Sequence, residues 1–167
     1  MKFILLSMKS NIKRGNTSLL FLLLLLFTVS CKEGNVSRQI SELYSNRGIK
    51  FDPETRVCII LPEVGCGGCI AEGTYFILSN KQCFSSNQRR NLVVFTSINS
   101  KKMLLRNMEI DSPSELNCIM DTTNIYLPTG NERIYPLILL LEKGKIIEAE
   151  FKSPHNSGNL LNRIILK

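Results

Sequence analysis

The sequence predicts an α/β fold in which a mixed central sheet is flanked by helices on both faces. Short, β-branched apolar runs alternate with segments whose apolar residues recur at helical spacing, which is typical of parallel strands joined by crossover helices. A pair of apolar runs joined by a tight turn follows near the end of the chain and predicts an antiparallel hairpin. Residues 51–167 are predicted to form this one domain, since their number suits a single core.

The first 30 residues have the features of a lipoprotein signal peptide. Basic residues within 1–15 precede a run of Leu and Phe over residues 18–29, which is short for a membrane span. The run ends in LFTVSC, which resembles a bacterial lipobox although Thr28 stands where leucine is usual. We therefore expect a lipid on Cys31 and a protein anchored in the bacterial cell envelope, facing the periplasm or the cell surface. An uncleaved N-terminal anchor is the alternative.

Removal of this segment changes the charge balance of the chain. The whole chain carries a formal net charge of +7 at pH 7, from 21 basic and 14 acidic residues. Residues 1–30 contain four basic and no acidic residues, so the remainder carries 17 minus 14, or +3. The basic character belongs mainly to the targeting segment, and we expect no nucleic acid among the partners.

Residues 31–50 are polar and are predicted to form a tether between the lipid and the domain. One or two helical turns, marked by Ile40, Leu43 and Tyr44, are expected to pack on the domain.

The first half of the domain is predicted to alternate strand and helix. The predicted elements are strands at residues 57–61 and 91–96 and helices at residues 70–80 and after Ser100. Ser100 can cap the second helix, which would carry Met103, Leu104 and Met108 on one side. Residues 110–123 lack a clear pattern and are predicted to be irregular, and residues 124–127 are predicted to form a short strand.

The second half is predicted to be a hairpin followed by a helix. Residues 137–141 are continuously apolar, as in a strand covered on both faces, and Lys143-Gly144 supplies the turn. The return strand alternates Ile147, Ala149 and Phe151 with Glu148 and Glu150 and is placed near the sheet edge. The last helix is predicted to start at a cap on Asn156 or Ser157 and to carry a stripe of Leu160, Leu161, Ile164 and Ile165.

A C-x-x-C motif, Cys66-Gly67-Gly68-Cys69, lies between the first strand and the first helix of the domain. A strand that enters a helix through such a turn puts the first sulfur at the helix N-terminus, where unpaired N–H groups and the macrodipole favour a thiolate. We therefore predict that Cys66 attacks a partner disulfide and that the more shielded Cys69 resolves the mixed disulfide. An inert structural disulfide is the alternative.

Other ligands fit this motif less well. A dinucleotide fingerprint would need a third glycine where the chain has Ile70, and no phosphate-binding G-x-x-x-x-G-K-[ST] is present. Structural zinc would need two more ligands, whereas the chain has one C-x-x-C and one histidine, His155. We expect no cofactor and no metal site; a copper-type carrier that uses the two thiolates stays open.

The order of these elements resembles the thioredoxin superfamily over residues 57–166. That resemblance implies a cis peptide bond before Pro136, close to the C-x-x-C, and a partner-binding role for Tyr135 and Pro136, with the Tyr135 backbone pairing with the partner peptide. Together with the lipobox, this order of elements is similar to that of the membrane-tethered envelope branch of the family, whose members mostly reduce disulfides. The chain departs from the family at Ile60, where cytoplasmic members have a buried Asp, and at Thr74, where a proline is common.

The function expected from these observations is exchange of disulfides with exported proteins that carry thiols or disulfides. A redox-silent binding module on the same fold is the alternative. Cys58 is expected to be a core residue, and Cys83 and Cys118 could pair with each other in an oxidising compartment. The acidic residues Glu63 and Glu72 flank the C-x-x-C and are expected to be solvated, unless one of them replaces the missing buried acid.

Overall fold

Five strands form one mixed sheet in the computed structural model of the protein, which describes residues 33–155, 160 and 164. The strands are β1 Val57–Pro62, β2 Asn91–Thr96, β3 Cys118–Met120, β4 Leu137–Glu142 and β5 Lys145–Phe151. The helices are α1 Glu33–Asn46, α2 Gly67–Ser79 and α3 Lys101–Asn107. The sheet order is β3-β2-β1-β4-β5. Strands β1, β2 and β3 are parallel to one another, and β4 is antiparallel to both of its neighbours, β1 and β5.

The central position of β1 explains its uninterrupted apolar sequence. It pairs with β2 on one side and with β4 on the other, and all six of its residues are buried. A strand covered on both faces needs apolar side chains at every position, because neither face meets water. The predicted strands at residues 57–61, 91–96 and 137–141 are confirmed to within one residue at either end.

Helices cover both faces of the sheet, as predicted. On one face Ile59 of β1 belongs to a core cluster with Ile77 of α2 and Leu104 of α3. On the other face Ile60 clusters with Ile40 and Tyr44 of α1. Two successive parallel crossovers, from β1 to β2 and from β2 to β3, place α2 and α3 on the same face. The predicted mixed sheet flanked by helices is confirmed.

Helix α1 is longer than the one or two turns expected within residues 31–50. It spans 14 residues, and its Tyr44 is fully buried. The Tyr44 hydroxyl donates to the carbonyl oxygen of Tyr126 over 2.6 Å. Just past the helix, the Arg47 guanidinium donates to the carbonyl oxygens of Ile125 and Leu127, each at 2.6 Å. Three hydrogen bonds thus connect the end of α1 to the loop that follows β3.

The part of the sequence that lacked a clear pattern contains β3, which the sequence did not predict. With three residues, β3 is too short to display an alternation, and its strand conformation comes with its pairing to β2. The strand predicted at residues 124–127 is wrong. There the Asp121 carboxylate accepts hydrogen bonds from the amides of Thr123 and Tyr126 and holds the chain in a turn, with Asn124 at a φ of 59°.

The hairpin turn is confirmed, but the predicted alternation of β5 is wrong at one residue. Lys143 and Gly144 both have positive φ, 51° and 77°, as a two-residue type I′ turn requires. The register then shifts, because Leu140 pairs with Glu148 whereas Leu141 pairs with Ile146. The bulge skips Ile147, whose side chain is 57% exposed instead of sharing the face of Ala149.

The start of α3 agrees with the prediction, while one of its apolar residues does not. The Ser100 hydroxyl accepts from the Met103 amide over 3.3 Å and caps the helix. Leu104 and Met108 are buried, but Met103 is 61% exposed and does not share their side. Helical spacing places Met103 at the margin of the stripe, where packing decides its burial.

The two ends of the chain lie largely outside the described residues. Of the predicted C-terminal stripe, Leu160 is buried and Ile164 packs against the core, whereas the proposed caps Asn156 and Ser157 are not among the described residues. The predicted signal peptide, residues 1–30, and Cys31 also lie outside them. Within the described part of the chain, no helix combines the length and the apolar character needed to cross a bilayer.

Candidate active site

Cys66 and Cys69 lie where β1 passes into α2, and a disulfide joins them. Cys66 is the N-cap residue of the helix, which starts at Gly67, and the Cα atoms of the two cysteines are 5.3 Å apart. Cys66 is partly exposed, whereas Cys69 is 5% exposed. The two sulfurs therefore differ in access, so a partner molecule can reach Cys66 first.

The N-terminus of α2 favours negative charge on Cys66. Among the described residues, no side chain caps this end, and the first turn contains no acidic residue. The free N–H groups and the macrodipole of α2 are therefore available to stabilise a thiolate. If Gly67 and Gly68 carried a Cβ, no described atom would lie within 4 Å of it, so the space above the dipeptide is open.

The turn before β4 touches the C-x-x-C loop directly. The Cys66 amide donates to the carbonyl oxygen of Ile134 over 3.0 Å. A Cβ on the neighbouring Gly65 would collide with the same Ile134 carbonyl group. Glycine at position 65 is therefore needed for this close approach of two backbones. The sequence did not single out Gly65 or Ile134 as parts of the site.

The expected cis bond before Pro136 is wrong: every peptide bond among the described residues is trans. Tyr135 has extended dihedral angles, φ −104° and ψ 147°, which suit a residue ahead of a trans proline. Its amide donates to the Glu132 carbonyl oxygen over 3.0 Å, so this N–H is not free to pair with a partner peptide.

Pro136 nevertheless lies beside the C-x-x-C helix. Its Cγ atom is 3.5 Å from the point where a Cβ on Gly73 of α2 would stand. Gly73 lies one helical turn beyond Cys69, so Pro136 packs against α2 just past the C-x-x-C. The structure joins Cys66 and Cys69 directly, and it places Pro136 against their helix and Tyr135 next to Ile134, which Cys66 contacts.

Neither acidic residue that flanks the motif takes the place of a buried proton-transfer group. The Glu63 carboxylate accepts hydrogen bonds from the amides of Asn99 and Ser100 and thereby holds the loop that leads into α3. Glu72 forms an ion pair with Lys152, with 2.9 Å between the Nζ and Oε2 atoms. The expectation that both carboxylates are simply solvated is therefore wrong for Glu63, which has a structural role.

The other cysteines of the domain are single thiols. Cys58 is fully buried, as predicted, and burial raises the pKa of its thiol. The suggested pairing of Cys83 with Cys118 is wrong, because both are free; the Cys118 thiol donates instead to the Pro113 carbonyl oxygen over 3.3 Å. Half-burial also raises the pKa of Cys118. His155 is exposed, and the described residues include no group of three or more His, Cys, Asp or Glu side chains that could hold a metal ion.

The sheet order, the two parallel crossovers, the C-x-x-C at the start of α2 and the proline that opens the β4–β5 hairpin decide the fold. The chain has the thioredoxin-like fold. The C-x-x-C of this thioredoxin-like domain lies at the C-terminal end of the central strand, where a helix N-terminus and a neighbouring loop meet.

Comparisons with known proteins add one structural likeness. The thioredoxin domain of a thiol-disulfide oxidoreductase from Bacteroides vulgatus aligns with 68% of this chain and 79% of its own, at 16% sequence identity and a TM-score of 0.42. No family model matches the chain, and no curated protein matches it. The fold assignment of the thioredoxin-like domain therefore rests on its own strands and helices.

Proposed function

We propose that the protein exchanges disulfides with partner proteins through Cys66 and Cys69 and that it acts mainly as a reductant. The observation that supports this function is the unequal access of two bonded sulfurs at an uncapped helix N-terminus. Cys66 is partly exposed beneath the open space over Gly67 and Gly68, while Cys69 is buried one turn further into α2.

In the proposed reaction the reduced protein starts with Cys66 as a thiolate. Its sulfur attacks one sulfur of a partner disulfide, so that a mixed disulfide forms and the partner's second sulfur leaves as a thiolate that takes up a proton. The Cys69 thiolate then attacks Cys66 Sγ, which forms the Cys66–Cys69 bond and releases the partner's first sulfur. Two electrons pass from the two cysteines to the partner, and an external dithiol reductant would restore the starting state.

Capture of the mixed disulfide tests this proposal. In a Cys69→Ala variant the second attack is impossible, so partner proteins should remain bound to Cys66 through bonds that a reducing agent releases. Cys66→Ala is the matched control and should capture few or none. Both variants should be compared on non-reducing gels after acid quenching. If both fold and neither captures a protein, the redox-silent binding module replaces the enzyme.

We also propose that Cys31 carries a lipid and that the partners are exported proteins of the cell envelope. The support is the basic segment, the apolar run and the lipobox-like LFTVSC at the N-terminus. The full chain expressed in a bacterium should partition into detergent, and Cys31→Ala should move it to the aqueous phase without changing domain folding. Lipid labelling that persists in Cys31→Ala would contradict the proposal.

A further inference from the structure

Lys152, directly after β5, is held against the C-x-x-C helix by its backbone and by its side chain. Its amide donates to the Pro136 carbonyl oxygen over 2.8 Å. Its Nζ atom is 2.9 Å from the Glu72 carboxylate, and its side chain is 14% exposed. The cations of the other two ion pairs among the described residues, Arg38 and Lys81, are 80% and 40% exposed. Among these three paired cations of the described residues, Lys152 therefore has the most buried side chain.

The position of Glu72 brings this charge close to the redox pair. Glu72 follows Cys69 by three residues on α2, and side chains at this spacing are neighbours, with Cβ atoms about 5–6 Å apart. The next residue, Gly73, packs against Pro136, whose carbonyl oxygen accepts the hydrogen bond from the Lys152 amide. The segment just before β4 and the second turn of α2 therefore both contact Lys152, the first through its backbone amide and the second through its ammonium group.

Water screens the two charges of this pair unequally. The Glu72 side chain is 64% exposed, whereas the Lys152 side chain is 14% exposed. A charge on a mostly buried side chain acts over a longer distance than a charge in water. We expect the net field of the pair to be positive at the first turn of α2, where it would add to the macrodipole.

We propose that Lys152 is a positioning residue for disulfide exchange, whose charge stabilises the thiolate form of the reduced Cys66–Cys69 pair. This inference rests on the proposed function. Ile60 of β1 packs in the cluster that includes Ile40 and Tyr44 of α1 and carries no charge. A stabilised thiolate favours the reduced protein and makes the disulfide easier to reduce.

Equilibration of the purified domain with glutathione tests the proposal. Two glutathione molecules give two electrons to the Cys66–Cys69 bond and leave as their own disulfide. Lys152→Met should lower the equilibrium constant for this reduction about tenfold, which corresponds to a reduction potential about 30 mV more negative. Lys152→Arg keeps the charge and should stay within about threefold of the parent. Lys81→Met, which removes the cation of the exposed pair with Glu115, should leave the constant unchanged.

A second readout separates this role from a structural one. The thiolate absorbance of the reduced domain should rise at higher pH in Lys152→Met than in the parent, whereas a residue that only supports packing would change the unfolding midpoint alone. An unchanged constant, within a factor of two, in a folded Lys152→Met variant overturns the proposal. Should that variant fail to fold, Glu72→Gln keeps the cation and should raise the constant; a decrease overturns the proposal equally.

The measurement is independent of any partner protein. If Cys69→Ala captures nothing while Lys152→Met still shifts the glutathione equilibrium, exchange with partner proteins fails, and only the effect of Lys152 on the thiolate of the reduced pair stands. The converse result retains the exchange function and removes Lys152 from it.

Discussion

The Cys66 amide and the Ile134 carbonyl oxygen form a hydrogen bond of 3.0 Å that joins the C-x-x-C loop to the turn before β4. The bond connects two segments that are distant in the sequence, and it brings Pro136 to the side of α2. It also uses one of the two lone pairs of the Ile134 carbonyl oxygen. The geometry of the site therefore depends on the contact at Gly65.

Two glycine substitutions beside the cysteines should have opposite effects on stability. Gly65→Ala should lower the free energy of unfolding by at least about 2 kcal/mol, because its Cβ would collide with the Ile134 carbonyl and break the Cys66 hydrogen bond. Gly68→Ala should raise it by about 0.5–1 kcal/mol, because the space around position 68 is open and alanine favours the helix. Urea unfolding of both oxidised variants measures the difference. Equal effects would show that the loop adapts without cost.

Thiol labelling should divide the reduced cysteines of the domain into two groups. At neutral pH iodoacetamide should modify Cys66, at an exposed helix N-terminus, and Cys83, which is exposed. Cys58, Cys69 and Cys118 should react far more slowly, because burial limits access to their thiols. Burial also raises the pKa of the Cys58 and Cys118 thiols. Mass spectrometry of the labelled peptides identifies the order. Rapid labelling of Cys58 in a folded domain would contradict its place in the core.

The domain should lose stability at alkaline pH because two buried acids keep their protons. Burial raises the pKa of the Cys58 thiol and of the Tyr44 hydroxyl. The unfolded chain releases these protons above its ordinary values of about 8.5 and 10, whereas the folded chain retains them. Stability is thus fully present below about pH 8.5 and falls at higher pH, by up to about 1.4 kcal/mol per pH unit for each group.

Urea unfolding at several pH values above 8 measures this loss. A Cys58→Ala variant provides the comparison, since it lacks one of the two acids and should lose stability less steeply with rising pH, although alanine leaves a small cavity at all pH values. Parallel curves for the two proteins would mean that Cys58 does not contribute.

Glu63→Ala should weaken the fold without changing the redox chemistry. The substitution removes the acceptor for the Asn99 and Ser100 amides, and we expect a loss of about 1–3 kcal/mol in the free energy of unfolding. The pH dependence of Cys66 alkylation should remain that of the parent. An altered profile would assign Glu63 a part in proton transfer. Glu54→Ala, at an exposed position, is a control that should change neither property.

The features that could be predicted from the sequence are those that one segment specifies by itself. The apolar run of β1, the cap at Ser100 and the Lys143-Gly144 turn each depend on neighbouring residues, and all three are confirmed. The strand β3 could not be predicted, because its three residues become a strand only through pairing with β2. The bulge at Ile147 likewise depends on how two strands are paired.

Within the site, the motif was readable and its surroundings were not. A strand, two cysteines three positions apart and a helical segment suffice to place Cys66 at a helix N-terminus. Two contacts join residues from different elements, and no local sequence pattern predicts them. These contacts are the close approach of Gly65 to Ile134 and the ion pair of Lys152 with Glu72.

The two edge strands of the sheet limit association between copies of this protein. On β5, the Ala149 amide donates to the Ser37 hydroxyl of α1 over 2.9 Å, and the bulge at Ile147 bends the strand beside it. The opposite edge, β3, presents only three residues. Short, bulged or covered edge strands offer few unpaired N–H and C=O groups with which a strand of another molecule could pair. A high local concentration would therefore not drive these domains to associate through their sheet edges, and the cysteines of each copy would stay accessible to other proteins.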